Sequence, residues 1–289
     1  MNVMTAINVL VNKTLRWSSP LLFNDPFDTA RQLQFGFSDL DLHDRLIGEL
    51  RRILNTSAAE KHQIKSRSLR DILDALHSLS NEGERNQKRE QMICQIKGYL
   101  DQWKIGESVS FKNLQKIWES TLPHARVLSL SEINDSAAMW NHYSDKHGGV
   151  VIELECVDMY DSPLLLAKPV IYSDDTLVLG NVDLWVKLFT RQIEFNYTEL
   201  FGPLDMTKRL EWQYEKEWRI ISFEKNSDQL FSDYSIHPRT VHSIYLGHDI
   251  TLEDKSTILR LADHELSHLS VYETHFNVYS RSIEFKRIK

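Results

Sequence analysis

Asn134-Asp135-Ser136-Ala137-Ala138-Met139-Trp140-Asn141-His142-Tyr143-Ser144-Asp145-Lys146-His147-Gly148-Gly149-Val150-Val151-Ile152-Glu153-Leu154-Glu155 reads as a short helix, a glycine stop and a strand. Asn134 or Asp135 is expected to cap the helix, because side-chain oxygens accept from the unpaired first-turn N–H groups. Ser136 to Asp145 would be helical. Lys146 and His147 then sit where the helix dipole favours cations, and Gly148 would be the left-handed residue that ends it. Val150 to Leu154 has the branched, apolar character of a strand. Met139, Trp140 and Tyr143 share a helix face at three- and four-residue spacing, with Asn141, His142 and Asp145 close by. Two readings stand: an ordinary packed helix, or the wall of a pocket.

Outward from this unit, helices and strands alternate irregularly. Ala6 to Val11 reads as a helix and Thr14 to Ser18 as a strand. Pro20-Leu21-Leu22-Phe23-Asn24-Asp25-Pro26-Phe27-Asp28 must be a loop, since each proline fixes its own dihedral and pushes the preceding residue out of the helical region. Phe23 and Phe27 are expected to anchor it in the core. Asn24, Asp25 and Asp28 are left to bond backbone or ligand. From Asp39 to about Leu122 the pattern is helical: Leu69, Ile72, Leu73 and Leu76, then Met92, Ile93, Ile96, Leu100 and Trp103, then Phe111, Leu114, Ile117 and Trp118. Beyond it, Arg126–Leu130 and Lys168–Tyr172 read as strands. Val182–Phe201 reads as one long helix burying Leu184, Leu188, Ile193 and Tyr197. Lys208–Ser222 begins helical and ends as a strand. Val241–Leu246, Leu269–Tyr272 and Ser282–Ile288 read as strands, and Thr251–His264 as a helix. The expected fold class is α+β, a mixed or split β-sheet core in a single domain (1–289) with a helical insertion (39–122).

Bulk properties narrow the function classes. The formal charge of -7 argues against a chain that holds nucleic acid by bulk electrostatics. Arg51, Arg52, Lys61, Lys65, Arg67 and Arg70 cluster, either as a local basic groove or as a solvated helical face. The two cysteines, Cys94 and Cys156, rule out a disulfide framework and a thiolate metal site, and fit a reducing compartment. No apolar run has the length of a membrane span, and no signal peptide is recognisable. The expected setting is cytoplasmic, without membrane. Glycine-rich phosphate loops and a G-x-S-x-G turn are missing. The twelve histidines show no zinc-like spacing, so no metal ligands are assigned.

What remains is a scatter of short motifs: Asn24-Asp25-Pro26-Phe27-Asp28, Ser129-Leu130-Ser131-Glu132, Met139-Trp140-Asn141-His142-Tyr143, His147-Gly148-Gly149-Val150 and Glu215-Lys216-Glu217-Trp218-Arg219. In this order, from about Leu15 to Leu246, they resemble the bacterial domain-of-unknown-function family numbered twenty-nine seventy-one. The Tyr/Arg-containing strand with which that family usually opens has no counterpart here. The resemblance implies an accessory or defence gene, in a phage-defence or toxin–antitoxin context. By architectural analogy it points to ADP-ribosyltransferase-like toxins that consume NAD as substrate.

Cleaving the nicotinamide–ribose bond passes through an oxocarbenium-like state. It needs a carboxylate to stabilise that charge, an aromatic wall and hydrogen-bond donors. On this reading Glu217, His142 and Tyr143 are the catalytic candidates. Asn24, Asp25, Trp140 and Arg219 are the NAD-binding ones. Each has a plainer alternative: Glu217 and Arg219 as exposed cross-strand pairs, His142 as a hydrogen-bonded helix residue, Asn24 and Asp25 closing a turn. Two other functions stay open. One is a metal-dependent nuclease or phosphoesterase using Asp25, Asp28 and Glu217. The other is a non-catalytic nucleotide- or protein-recognition module, docking a protein partner or antitoxin through the helical insertion. Nucleic acid stands as a possible target.

Overall fold

A computed structural model describes residues 1–30, 32–157, 162–224 and 228–289. In chain order the helices are α1 (Val3–Asn12), α2 (Asp39–Leu54), α3 (Arg67–His77), α4 (Glu82–Leu100), α5 (Val109–Thr121), α6 (Ala137–Tyr143), α7 (Val182–Phe189), α8 (Tyr197–Met206) and α9 (Leu252–Glu265). The strands are β1 (Thr14–Ser18), β2 (Ala125–Ser131), β3 (Val150–Leu154), β4 (Lys168–Pro169), β5 (Ile171–Tyr172), β6 (Thr207–Lys208), β7 (Glu217–Phe223), β8 (Phe231–Ser235), β9 (Val241–Leu246), β10 (Ser270–Asn277) and β11 (Ser282–Arg287). This is an α+β fold. It forms two compact units: Met1–Asp28 with Thr121–Asp174 and Met206–Lys289, and Thr29–Ser120 with Asp175–Asp205. The helical stretch expected at 39–122 is thus accompanied by a second segment, 175–205.

The first unit holds the sheets. One has five strands in the order β4-β7-β2-β1-β8, and another has four in the order β11-β10-β9-β3. Helix α1 lies between two apolar clusters. Its Val3, Ala6 and Leu10 join Val150, Ile244, Ile258 and Val271 beside the four-stranded sheet. Its Val9 joins Leu15, Trp17, Leu128 and Ile220 of the five-stranded sheet. Strand alternation then sends the intervening residues of β1, β2 and β7 to the sheet's opposite face. The β2–β7 register sets Ser129 opposite Arg219 and Ser131 opposite Glu217. That opposite face carries the chemistry.

The second unit is helical. Ile53, Ile64 and Leu73 make one apolar cluster, and Leu54, Leu76 and Ile93 make another. Trp118 stacks on Phe201, with ring centroids 5.2 Å apart.

Several expectations give way to local physics. Helix α6 is capped by Ser136, which accepts from the Met139 N–H, and not by Asn134 or Asp135. Its exit does not use Gly148. Asp145, Lys146 and His147 adopt left-handed φ of 47°, 51° and 71° in succession. Gly149 and Gly247 are needed for close approach instead. A Cβ on Gly247 would meet the His147 carbonyl oxygen at 2.0 Å, and one on Gly149 would meet that of Met1 at 2.3 Å. The strand expected over Lys168–Tyr172 is divided between two sheets, with β5 pairing β6.

The long helix expected over Val182–Phe201 breaks after Phe189, and Trp185 and Val186 are its buried residues. The Arg191 N–H bonds the Leu188 carbonyl and the Gln192 N–H bonds that of Lys187, a Schellman turn. Arg191 holds the left-handed position there with φ 51°, where glycine is usual. Arg191→Gly is therefore expected to stabilise the chain by about 1 kcal/mol, seen as a higher denaturant midpoint.

Candidate functional site

The first unit contains a cleft of about 660 Å³ on the far face of the five-stranded sheet. Ligand pockets are commonly of this size. Four segments build it. Strands β2 and β7 supply Ser129, Ser131, Glu217 and Arg219. The loop after β1 brings Asn24 and Asp28, α6 brings Met139, His142 and Tyr143, and the stretch from β6 to the turn before β7 brings Lys208 and Glu215. Lys216, left-handed at φ 47°, ends that turn between the two glutamates. Both carboxylates then reach one ammonium.

The cleft floor is a buried network of five charged groups: Asp28, Lys208, Glu215, Glu217 and Arg219. Lys208, the most exposed of them, is only 6% accessible. Arg219 clasps Asp28 bidentately, Nη1 to Oδ1 at 2.8 Å and Nη2 to Oδ2 at 2.5 Å. Its Nε and Nη2 also donate to the two Glu217 oxygens at 2.7 and 3.1 Å. Lys208 Nζ donates to Glu215 at 2.5 Å and to Glu217 at 3.0 Å. Above the floor, the Tyr143 hydroxyl donates to Glu215 Oε1 at 2.5 Å. His142 Nδ1 lies 3.0 Å from the Tyr214 hydroxyl. The Glu217 backbone N–H donates to the Tyr172 hydroxyl at 2.8 Å, and Ser131 Oγ to the Glu215 carbonyl at 2.7 Å. The last two contacts fix the backbone that carries the two carboxylates.

Burial alone would raise the Glu217 carboxyl, but Arg219 and then Lys208 reverse this and hold it below the usual carboxylate range. Burial alone would lower the Lys208 ammonium. Glu217 and Glu215 overcome that, and its pKa is raised. Burial, followed by Glu215, pushes the Tyr143 hydroxyl up, so it remains a neutral donor at ordinary pH.

The linked stability follows in sign. Glu217 contributes fully above the unfolded carboxylate pKa and loses its contribution as pH falls through its own lowered value. Lys208 contributes fully below the unfolded lysine pKa and loses its contribution only as pH rises beyond it. A melting-temperature profile should be flat from neutral to mildly alkaline pH and should fall steeply below about pH 4. Glu217→Gln should make that acid limb shallower.

The remote candidates partly converge. Glu217, Arg219, His142, Tyr143 and Asn24 line one cleft. Trp140 does not: it is buried in the core, where its Nε1–H donates to the Asn134 carbonyl at 2.6 Å. Met139, His142 and Tyr143 are the α6 residues that face the cleft. Asp25 is buried too, accepting from the Phe27 N–H at 2.8 Å and closing a turn. Phe27 stands 64% exposed and anchors nothing in the core. Glu217 and Arg219 pair with each other, but buried rather than on an exposed surface. Sequence reasoning passed over Lys208 and Glu215. Glu215 opened one of the motifs behind the family resemblance, and both residues sit in a dense run of charges and aromatics from Lys208 to Arg219 that no amphipathic helix or strand requires.

The charge set also bears on metal binding. Lys208 and Arg219 already lie among Asp28, Glu215 and Glu217, where a divalent ion would have to sit, and Asp25 points elsewhere. Among the described residues no group of three His, Cys, Asp or Glu side chains is arranged to hold a metal. No helix among them is long and apolar enough to cross a membrane.

Residues 139–220 match the family described as protein of unknown function, DUF2971. No curated protein and no solved structure matches the chain. The matched segment begins at Met139 in α6 and ends at Ile220 in β7, so the family resemblance covers the part of the chain that supplies His142, Tyr143, Lys208, Glu215, Glu217 and Arg219.

Proposed function

We propose that the cleft binds NAD and that the chain is an ADP-ribosyltransferase-like glycosyl-transfer enzyme. The supporting observation is Glu217, a carboxylate held ionised by Arg219 and Lys208 at the floor of a ligand-sized cleft. The five floor groups carry three formal negative and two formal positive charges, a net of -1. A cationic nicotinamide riboside, and the oxocarbenium it becomes, complements that charge. Glu217 stabilises the developing cation. The Tyr143 ring, 39% exposed at the cleft, flanks the nicotinamide. His142 and Asn24 donate toward the ribose and diphosphate. Arg219 acts through Glu217 rather than on the substrate.

The mutual pairing of all five groups favours a second reading, ligand recognition without turnover. The two readings part in one experiment. Purified chain incubated with NAD should release nicotinamide, with water taking the ADP-ribosyl group and giving its proton to solvent when no other acceptor is present, and His142→Ala should slow that release while the melting temperature holds. NAD that raises the melting temperature by mass action, without nicotinamide release, supports recognition alone. A defence or toxin–antitoxin role, and an antitoxin docking on the helical unit, follow from the family resemblance only.

A further inference from the structure

A second cavity, of about 970 Å³, lies wholly within the helical unit. The basic residues nearby are not equivalent. Arg51 bonds Glu90, Arg52 bonds Glu49 and Lys61 bonds Asp74. Arg70 donates to the carbonyls of Ile64 and Lys65. Lys65 and Arg67 are left, and both line the cavity together with Arg191. Among the described residues these three side chains make no hydrogen bond or ion pair.

Arg191 is held there at a conformational cost, in the left-handed position of its turn. Gln192 beside it is tied down by bonds to Glu49 and Thr190 at 2.8 and 2.7 Å. The first turns of α3 and α8 border the same space and add to its positive potential. Opposing this, Glu194 and Glu199 also line it, so the formal charge is +1 rather than +3. Phe195 contributes a ring that is 54% exposed and braced edge-on against Phe201 at 6.4 Å.

We propose that this cavity binds a nucleoside phosphate. Lys65, Arg67 and Arg191 take the phosphate oxygens by charge-assisted hydrogen bonds. Glu194 and Glu199 accept from the ribose hydroxyls, and the base stacks on Phe195. A bare phosphate would use the cations but gain nothing from the carboxylates or the ring. This site is independent of the NAD cleft.

The test is titration of the full chain with adenosine triphosphate, inorganic phosphate and a single-stranded oligoadenylate. Adenosine triphosphate should saturate one site per chain, with inorganic phosphate at least about tenfold weaker. Lys65→Glu and Arg191→Gly should each weaken the nucleotide by about tenfold or more. Arg191→Gly relieves backbone strain, so loss of binding in it cannot be put down to misfolding. Glu217→Gln should bind as the parent does. Tighter binding of the oligomer, lost in the same variants, supports the site and assigns its nucleotide to a nucleic-acid strand. Absence of saturable nucleotide binding at millimolar concentration overturns the proposal. So does binding that survives both variants, or inorganic phosphate binding as tightly as the nucleotide.

Discussion

Replacing Arg219 by alanine is expected to destabilise the chain by about 3–5 kcal/mol, the range for removing one partner of a buried ion pair. The guanidinium bonds two carboxylates at once, Asp28 across a separation of 191 positions and Glu217 on its own strand. Without it, three buried carboxylates face a single ammonium, and the formal charge of the cluster goes from -1 to -2. A melting temperature lower by roughly 10 °C would follow for a unit of this size. Arg219→Lys should recover only part of the loss, because an ammonium cannot reproduce the planar fork that grips Asp28 through both oxygens. Calorimetry on the three proteins decides the matter. An Arg219→Ala chain that melts with the parent would mean the network is ornamental to the fold.

Glu217→Gln should cut nicotinamide release by on the order of 10²–10³-fold, about 3–4 kcal/mol of transition-state stabilisation. The isosteric amide keeps the shape of the side chain, removes its charge and turns one of the two oxygens that accept from Arg219 and Lys208 into an NH2 donor. In contrast to the arginine variant, this substitution leaves Asp28 and Glu215 to balance Lys208 and Arg219, for a formal charge of zero. The protein should therefore stay folded, and its loss should fall on kcat more than on KM, since the charge matters most when the ribose becomes cationic. Unchanged nicotinamide release in a folded Glu217→Gln protein would remove the carboxylate from the reaction. The stability and activity measurements thus separate two roles that one network carries.

Elements governed by nearest-neighbour rules were legible in the sequence. The alternation of Thr14–Ser18 and the branched run Val241–Leu246 match β1 and β9 end to end. Thr251 caps α9 at the expected start of that helix. The break between α7 and α8 was not legible, because it rests on a Schellman turn with Arg191 where glycine would have announced it. The exit of α6 misled in the opposite way. Glycines were present, but backbone crowding at Gly149 and Gly247 used them for close approach, while Asp145 to His147 took the left-handed turn.

Site residues divide on the same principle. Glu217 and Arg219 could be picked out as a charged alternating pair, but their burial depends on Asp28 and Lys208, which sequence spacing cannot place beside them. Trp140 had the residue type of a pocket wall. One position's rotation about α6 put Met139 and Tyr143 at the cleft and left Trp140 to the core.

The clasp between Asp28 and Arg219 also has a bearing on synthesis. A nascent chain emerging from the ribosome carries Asp28 long before its partner, which arrives only with β7, after the whole helical unit has been made. No amino-terminal fragment that stops short of Arg219 can close the cleft floor, and premature termination upstream of Thr207 removes both cations from it. Translation must pass these positions before any chemistry dependent on the floor can begin.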